Sequence, residues 1–157
     1  PTMRSQIDPR GQRFAAAVTT VILAAVLLLA PGALATSLLA AQVVLFAIGA
    51  GLGVRQTPHA WVFQTLIRPT LGAPTELEDA APPRFAQAVG LAFATVALVG
   101  FLVGATTVGL VATGLALVAA VLNAAFGLCL GCELYLILTR LNLPTITADP
   151  QEKTHVS

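Results

Sequence analysis

Long uncharged apolar runs alternate with short polar breaks along this chain. The first run, Phe14 to Ala30, follows Arg13 and stops at the turn pair Pro31-Gly32. A second goes from Ala33 to about Gly53, and a third from Phe85 to Val103. After the tight turn Gly104-Ala105-Thr106, a fourth goes from Thr107 to about Phe126. Each is roughly the 20 residues needed to cross about 30 Å of hydrocarbon at 1.5 Å per residue. The pattern predicts an all-α, polytopic membrane protein with four transmembrane helices arranged as two hairpins. The first run is too long, and is followed by too many others, to be the apolar part of a cleaved signal peptide.

Polar positions return between Val54 and Arg84. Within that stretch, Pro58 to Arg68 is expected to form a short helix with Val62, Phe63, Leu66 and Ile67 on one face. Trp61 and the flanking arginines suit an interfacial position. The acidic, proline-bearing residues that follow read as a linker. At the far end two pictures stand. Leu128 to Leu141 is a second interfacial helix after a bend near Asn123–Gly127, or one unbroken helix runs from Thr107 to Arg140, about 51 Å long. After Pro144 the polar sequence reads as a flexible tail.

Arg13-Phe14-Ala15-Ala16-Ala17-Val18 matches Arg84-Phe85-Ala86-Gln87-Ala88-Val89. Each copy continues as span, Gly-containing turn, span and short amphipathic segment, ending in Leu66-Ile67-Arg68 and Leu138-Thr139-Arg140. With two spans per unit, the copies would be parallel repeats about an axis along the membrane normal. The expected organisation is a cytoplasmic tail over 1–12, a first repeat over 13–68, a linker over 69–83, a second repeat over 84–141 and a flexible tail over 142–157. Gly49/Gly53, Gly100/Gly104 and Gly127/Gly131 have GxxxG spacing, suited to close helix packing within the chain, and they also admit a homodimer face.

Composition supports the membrane reading. Of 157 residues, 57% are hydrophobic and 10% charged, against about 25% charged in soluble domains. A net charge of +1 offers no basic surface for nucleic acid. Arg4, Arg10, Arg13, Arg55, Arg68, Arg84, Arg140 and Lys153 all lie in the tails, the middle loop or the end of the chain, and neither hairpin turn carries any. The positive-inside rule then places both termini and the middle loop in the cytoplasm, with membrane lipid around the spans.

The candidate chemistry is concentrated in Cys129-Leu130-Gly131-Cys132-Glu133. Cysteines three apart share a helix face and can form a disulfide. If a helix starts near Leu128, its free N–H groups and positive dipole end favour a thiolate at Cys129. Glu133, an acid at the membrane surface, is a candidate for moving a thiol proton, or equally a first-turn helix cap. These residues point to a membrane thiol–disulfide or sulfur-relay protein, with Cys129, Cys132 and Glu133 as the site. The alternatives are a non-catalytic membrane anchor or accessory subunit whose cysteines only pack, and a structural metal site completed by His59. Tyr135 is expected to anchor at the interface or hydrogen-bond the thiols. Asn123 is expected to bond across helices or satisfy the bend. Phosphate-cradling glycine loops, paired intramembrane carboxylates and Ser–His–Asp sets are missing from the sequence, so no cofactor is called for and transport gains no support.

Asp79-Ala80-Ala81-Pro82-Pro83-Arg84-Phe85-Ala86-Gln87 and Phe126-Gly127-Leu128-Cys129-Leu130-Gly131-Cys132-Glu133-Leu134-Tyr135, with Asp8-Pro9-Arg10-Gly11 and Arg13-Phe14, resemble the signatures of the small integral-membrane family DUF4395, a domain of unknown function. The resemblance covers about residues 8–142. It implies a multi-pass protein of the bacterial inner (plasma) membrane without assigned activity. It also implies a genetic neighbourhood of rhodanese-type sulfurtransferases and thioredoxin-like proteins, so that a cytosolic thioredoxin-like or rhodanese-like partner is expected.

Overall fold

The computed structural model describes residues 6–146, with side chains through Leu141. In chain order the elements are β1 (Gln6–Ile7), α1 (Pro9–Leu29), α2 (Ala33–Gly51), a 3-10 turn (Val54–Gln56), α3 (Pro58–Val62), a π-helical turn (Phe63–Ile67), α4 (Arg68–Leu71), β2 (Glu78–Asp79), α5 (Ala81–Leu102), α6 (Thr106–Phe126) and α7 (Leu130–Ile146). Four helices, α1, α2, α5 and α6, are long and apolar enough to cross a membrane.

Two of the spans start earlier than the apolar runs suggest. Asp8 caps α1, its carboxylate accepting the Arg10 N–H at 3.0 Å, and Pro9 fills the first helical position, where no N–H is needed. Asp79 accepts the Ala81 N–H at 3.0 Å, and Pro82 and Pro83 occupy the first turn of α5. The expected tail over 1–12 and linker over 69–83 therefore each give their last residues to a span. What remains of them is tied together. β1 pairs antiparallel with β2, Gln6 opposite Asp79 and Ile7 opposite Glu78. The Arg10 guanidinium binds the Asp8 carboxylate, at 2.8 Å at its shortest, and reaches the carbonyls of Leu71 at 3.4 Å and Gly72 at 3.0 Å. The Arg10 side-chain hydrogen bond holds the Asp8 carboxyl below its ordinary range.

The spans form a ring in which α1 packs between α2 and α6, and α5 faces the same two neighbours from the other side. Leu23, Val26, Ala35, Leu39 and Ala97 are fully enclosed at the centre. Lipid tails are as apolar as leucine, so close packing of small residues, not exclusion of water, holds such helices together. Gly100 illustrates this: a Cβ there would stand 2.9 Å from the Gly109 nitrogen, so α5 and α6 cross backbone to backbone. Leucines such as Leu28 and Leu102, 85% and 68% exposed, face outward and suit a hydrocarbon surround.

The GxxxG pairs do not act as pairs. Gly53, Gly104 and Gly127 have φ of 114°, 83° and 69° and sit at turns or helix ends. Their partners Gly49, Gly100 and Gly131 provide close approach singly, against Gln87, Gly109 and Ala86.

Two arginines join the hairpins. Arg13 at the start of α1 donates to the carbonyls of Ala124 (3.3 and 3.2 Å) and Ala125 (3.1 Å) in the last turn of α6. Arg84 at the start of α5 donates to the carbonyls of Ala50 (2.7 Å) and Gly51 (2.6 Å) at the end of α2. Each brings a cation to carbonyls left unpaired at the negative end of a helix.

The helix expected over Pro58–Arg68 runs on to Leu71 and contains a π-helical turn just before Pro69. Proline has no N–H for the Thr65 carbonyl and its ring crowds that carbonyl, so the preceding turn widens. The widening separates the residues expected on one face. Phe63 is buried against the Phe14 ring, centroids 5.9 Å apart, while Leu66 is 66% exposed.

Candidate functional site

The bend at the end of α6 rests on one glycine. Gly127 takes a left-handed conformation, its N–H bonding the Asn123 carbonyl at 2.9 Å, and the Leu128 N–H bonds the Leu122 carbonyl at 3.2 Å. This is a glycine helix stop, and it removes the unbroken helix from Thr107 to Arg140. The chain turns and α7 begins at Leu130. It continues past Pro144 to Ile146, beyond the expected boundary at Leu141, and the residues after Ile146 lie outside the described part.

Cys129 stands at the N-cap of α7. Its carbonyl accepts the Glu133 N–H at 3.0 Å, the first bond of the helix, and its sulfur accepts the Cys132 N–H at 3.2 Å. The sulfur thus fills the place that a serine or aspartate oxygen takes in an ordinary cap. Cys129 and Cys132 are joined as a disulfide with Cα atoms 5.1 Å apart, and both residues are half-buried.

The pair is held on the bundle by α5. A Cβ on Gly131 would come within 2.6 Å of the Ala86 Cα, so α7 lies directly on the α5 backbone between the two cysteines. One turn on, the Tyr135 ring packs against Phe85 with centroids 5.7 Å apart. Tyr135 therefore has a packing partner on a span. Glu133 is exposed, in the first turn of α7, where a carboxylate complements the helix dipole.

Beneath the disulfide, inside the bundle, lies a cavity of about 320 Å³. Its wall is mostly apolar, built from alanines, Phe46, Phe93 and aliphatic side chains such as Leu115 and Leu134. Its polar lining comes from Gln12, Thr19, Gln87 and Asn123, and Cys129 borders it. Thr19 is buried and accepts the side-chain N–H of Gln42 at 3.4 Å.

Each of the four spans carries one side-chain amide: Gln12, Gln42, Gln87 and Asn123. Three line the cavity and the fourth holds Thr19. Sequence reasoning singles out Asn123 and passes over the other three, although lone amides in apolar runs are a readable signal. What cannot be read is their convergence at one end of the ring.

His59 borders a second, polar pocket of about 240 Å³ with Asp8, Arg55 and Arg68. Gln12, Ala15 and Gln87 separate it from the first cavity and line both. Among the described residues no three of His, Cys, Asp and Glu come together as a ligand group, so His59 does not complete a metal site with Cys129, Cys132 and Glu133.

The His59 Nδ1 is buried without a hydrogen-bond partner among the described residues. Burial pushes this imidazole below its ordinary value of 6.5. A depressed histidine leaves the unfolded chain binding more protons between the two values. Stability is then full above about 6.5 and falls as pH drops through the window below it. In detergent, the thermal midpoint should fall by a few degrees between about pH 7 and about pH 5, and His59→Gln should flatten that slope. Equal slopes in the two proteins would show that His59 is not the cause.

No curated protein and no solved structure matches the chain. A family model, described only as a domain of unknown function, matches residues 7–140. That match takes in both hairpins, Asp8 and Asp79 at the starts of their helices, and the Cys129–Cys132 helix, and by it the chain belongs to the family DUF4395.

Proposed function

We propose that this protein is a membrane-embedded thiol–disulfide or sulfur-relay protein working through Cys129 and Cys132. The observation that carries the reading is the position of the pair. The two sulfurs are bonded, they belong to half-buried residues, and they are set at the N-terminus of α7, where Cys129 accepts the Cys132 N–H at 3.2 Å. A thiolate on an incoming thioredoxin-like or rhodanese-like protein attacks one sulfur, the other leaves as a thiolate, and a second thiol resolves the mixed disulfide. The reverse sequence returns the electrons. After reduction, Cys129 keeps the N–H and the positive helix end, so it is the attacking or persulfide-carrying sulfur, and Cys132 is the resolving one. Glu133, exposed beside them, handles the thiol proton.

The same reading includes a finer architecture. Asp8, Arg13 and Phe14 recur as Asp79, Arg84 and Phe85 at a constant offset. Both Asp side chains accept the N–H two residues on. Each Arg reaches the closing turn of the other hairpin, and each Phe meets a ring from a short following helix. These correspondences support two parallel repeats, each closed by an interfacial helix. The charge distribution supports both termini and the cysteines at the cytoplasmic surface, and membership of the family supports a bacterial inner-membrane location.

The test is reduction of the purified, oxidised protein by a catalytic amount of thioredoxin kept reduced by thioredoxin reductase and NADPH, with the two thiols then counted by maleimide mass shift. Reduction within minutes is expected. A disulfide that ignores thioredoxin-like and rhodanese-like donors alike would return the protein to a non-catalytic anchor.

A further inference from the structure

We propose that the cavity beneath the disulfide receives the ring of an isoprenoid quinone, which takes the two electrons of the Cys129/Cys132 dithiol. Size, lining and openings all fit this ligand. The cavity, about 320 Å³, falls at the small end of the roughly 300–1,000 Å³ range of small-molecule pockets. Its wall is apolar with aromatic rings at Phe46 and Phe93, as a flat, weakly polar ring requires. Gln12, Gln87 and Asn123 bring amide donors into that wall, and none of the three makes a side-chain hydrogen bond among the described residues. Amides within a membrane span seek partners, and the two carbonyl oxygens of a quinone are acceptors suited to them.

On one side the cavity is bordered by Cys129, which places a redox-active sulfur at the edge of the ring. On another, it shares Phe93 and Leu115 with a groove of about 450 Å³ between α5 and α6. That groove is lined by Val96, Val108 and Val111, each about half exposed on the outer face of the bundle. An isoprenoid tail fits the groove while the ring occupies the cavity. A phospholipid chain also suits the groove, but it accepts no electrons from a thiol.

In the transfer, two S–H bonds, at Cys129 and Cys132, are broken and one S–S bond forms. Two electrons and two protons pass to the quinone, whose carbonyl oxygens become the hydroxyls of the hydroquinone. A partner dithiol then reduces the protein disulfide again by exchange. The electron-transfer half of the proposal rests on the thiol function above, whereas binding of the ring does not.

The experiment uses the full chain in nanodiscs of pure phosphatidylcholine, with ubiquinone-1 as the probe. Saturable binding is expected in the wild type, and the Cys129→Ala/Cys132→Ala variant serves as the cysteine-free control for electron transfer. Affinity should weaken about tenfold or more in Gln87→Leu/Asn123→Leu and in Ala119→Leu, which narrows the cavity. Thermal melts check that these variants fold. The reduced wild type should convert one equivalent of quinone to quinol, read by ultraviolet absorbance, and the cysteine-free variant none. Absent binding, or binding unchanged in both cavity variants, would overturn the ring site. It would leave the thiol function standing if thioredoxin still reduces the disulfide. Saturable binding without quinol formation by the reduced protein would overturn the electron transfer.

Discussion

Reduced Cys132→Ser protein mixed with oxidised glutathione is expected to accumulate a stable glutathione adduct on Cys129, faster by about threefold to tenfold than Cys129→Ser forms one on Cys132. The difference follows from the first turn of α7. Cys129 receives the Cys132 N–H at 3.2 Å, and a hydrogen bond to a charged group contributes about 1.5–3 kcal/mol. The helix N-terminus adds about 0.3–1 kcal/mol for an anion. A gain of about 1.4 kcal/mol already multiplies the thiolate population tenfold. Part of this is lost because a more stable thiolate is a weaker nucleophile, with a Brønsted slope of about 0.4–0.5. The adduct persists in Cys132→Ser because no second thiol displaces glutathione, whereas the wild type should pass through it to the internal disulfide. Intact-mass spectrometry follows all three species. Equal adduct rates in the two variants would remove the argument that the cap makes Cys129 the attacking sulfur.

Gly131→Leu is expected to lift α7 from α5 and to lower stability by about 1–3 kcal/mol, the usual cost of forcing atoms into a packed contact. The obstruction is backbone: a Cβ would stand 2.6 Å from the Ala86 Cα and the same distance from its Cβ. A flexible side chain could swing aside, but a helix must move as a body. The disulfide closes within α7 and its cap, so it should survive. The Phe85–Tyr135 ring contact and the shared border between Cys129 and the cavity should be lost. Two readouts separate these effects: thermal unfolding in detergent for the packing, and the fraction of oxidised protein by maleimide shift for the disulfide. An unchanged melting temperature would mean that α7 does not rest on Ala86. Gly114 serves as the control, since a Cβ there would have nothing within 4 Å and Gly114→Ala meets no obstruction.

Much of the architecture was legible because hydrocarbon imposes a simple rule on sequence. A span must be long, apolar and internally hydrogen-bonded, and four uncharged runs announce four spans. The ends were less legible, because Pro9, Pro82 and Pro83 look like breakers until Asp8 and Asp79 are recognised as the groups that start each helix. The two-residue strands β1 and β2 were beyond reach, since a pairing so short has no periodicity. Leu66 illustrates a further failure. An ideal 3.6-residue period puts it on the face of Phe63, and the π turn before Pro69 separates them.

The sequence by itself determined that this is an all-α chain with four helices fit to span a membrane, that it belongs to its family, and that its two cysteines are spaced for a disulfide within one turn. These are local properties, set by run length, composition and spacing. Only the tertiary structure decided that Gly127 ends α6, that α7 folds back onto α5, and that amides from α1, α5 and α6 meet beneath Cys129. The reason is physical: a helix stop is a choice of one backbone conformation, and convergence depends on how the spans are rotated about their own axes. Small residues on nearly every face of these helices leave that rotation unspecified until the whole ring has packed.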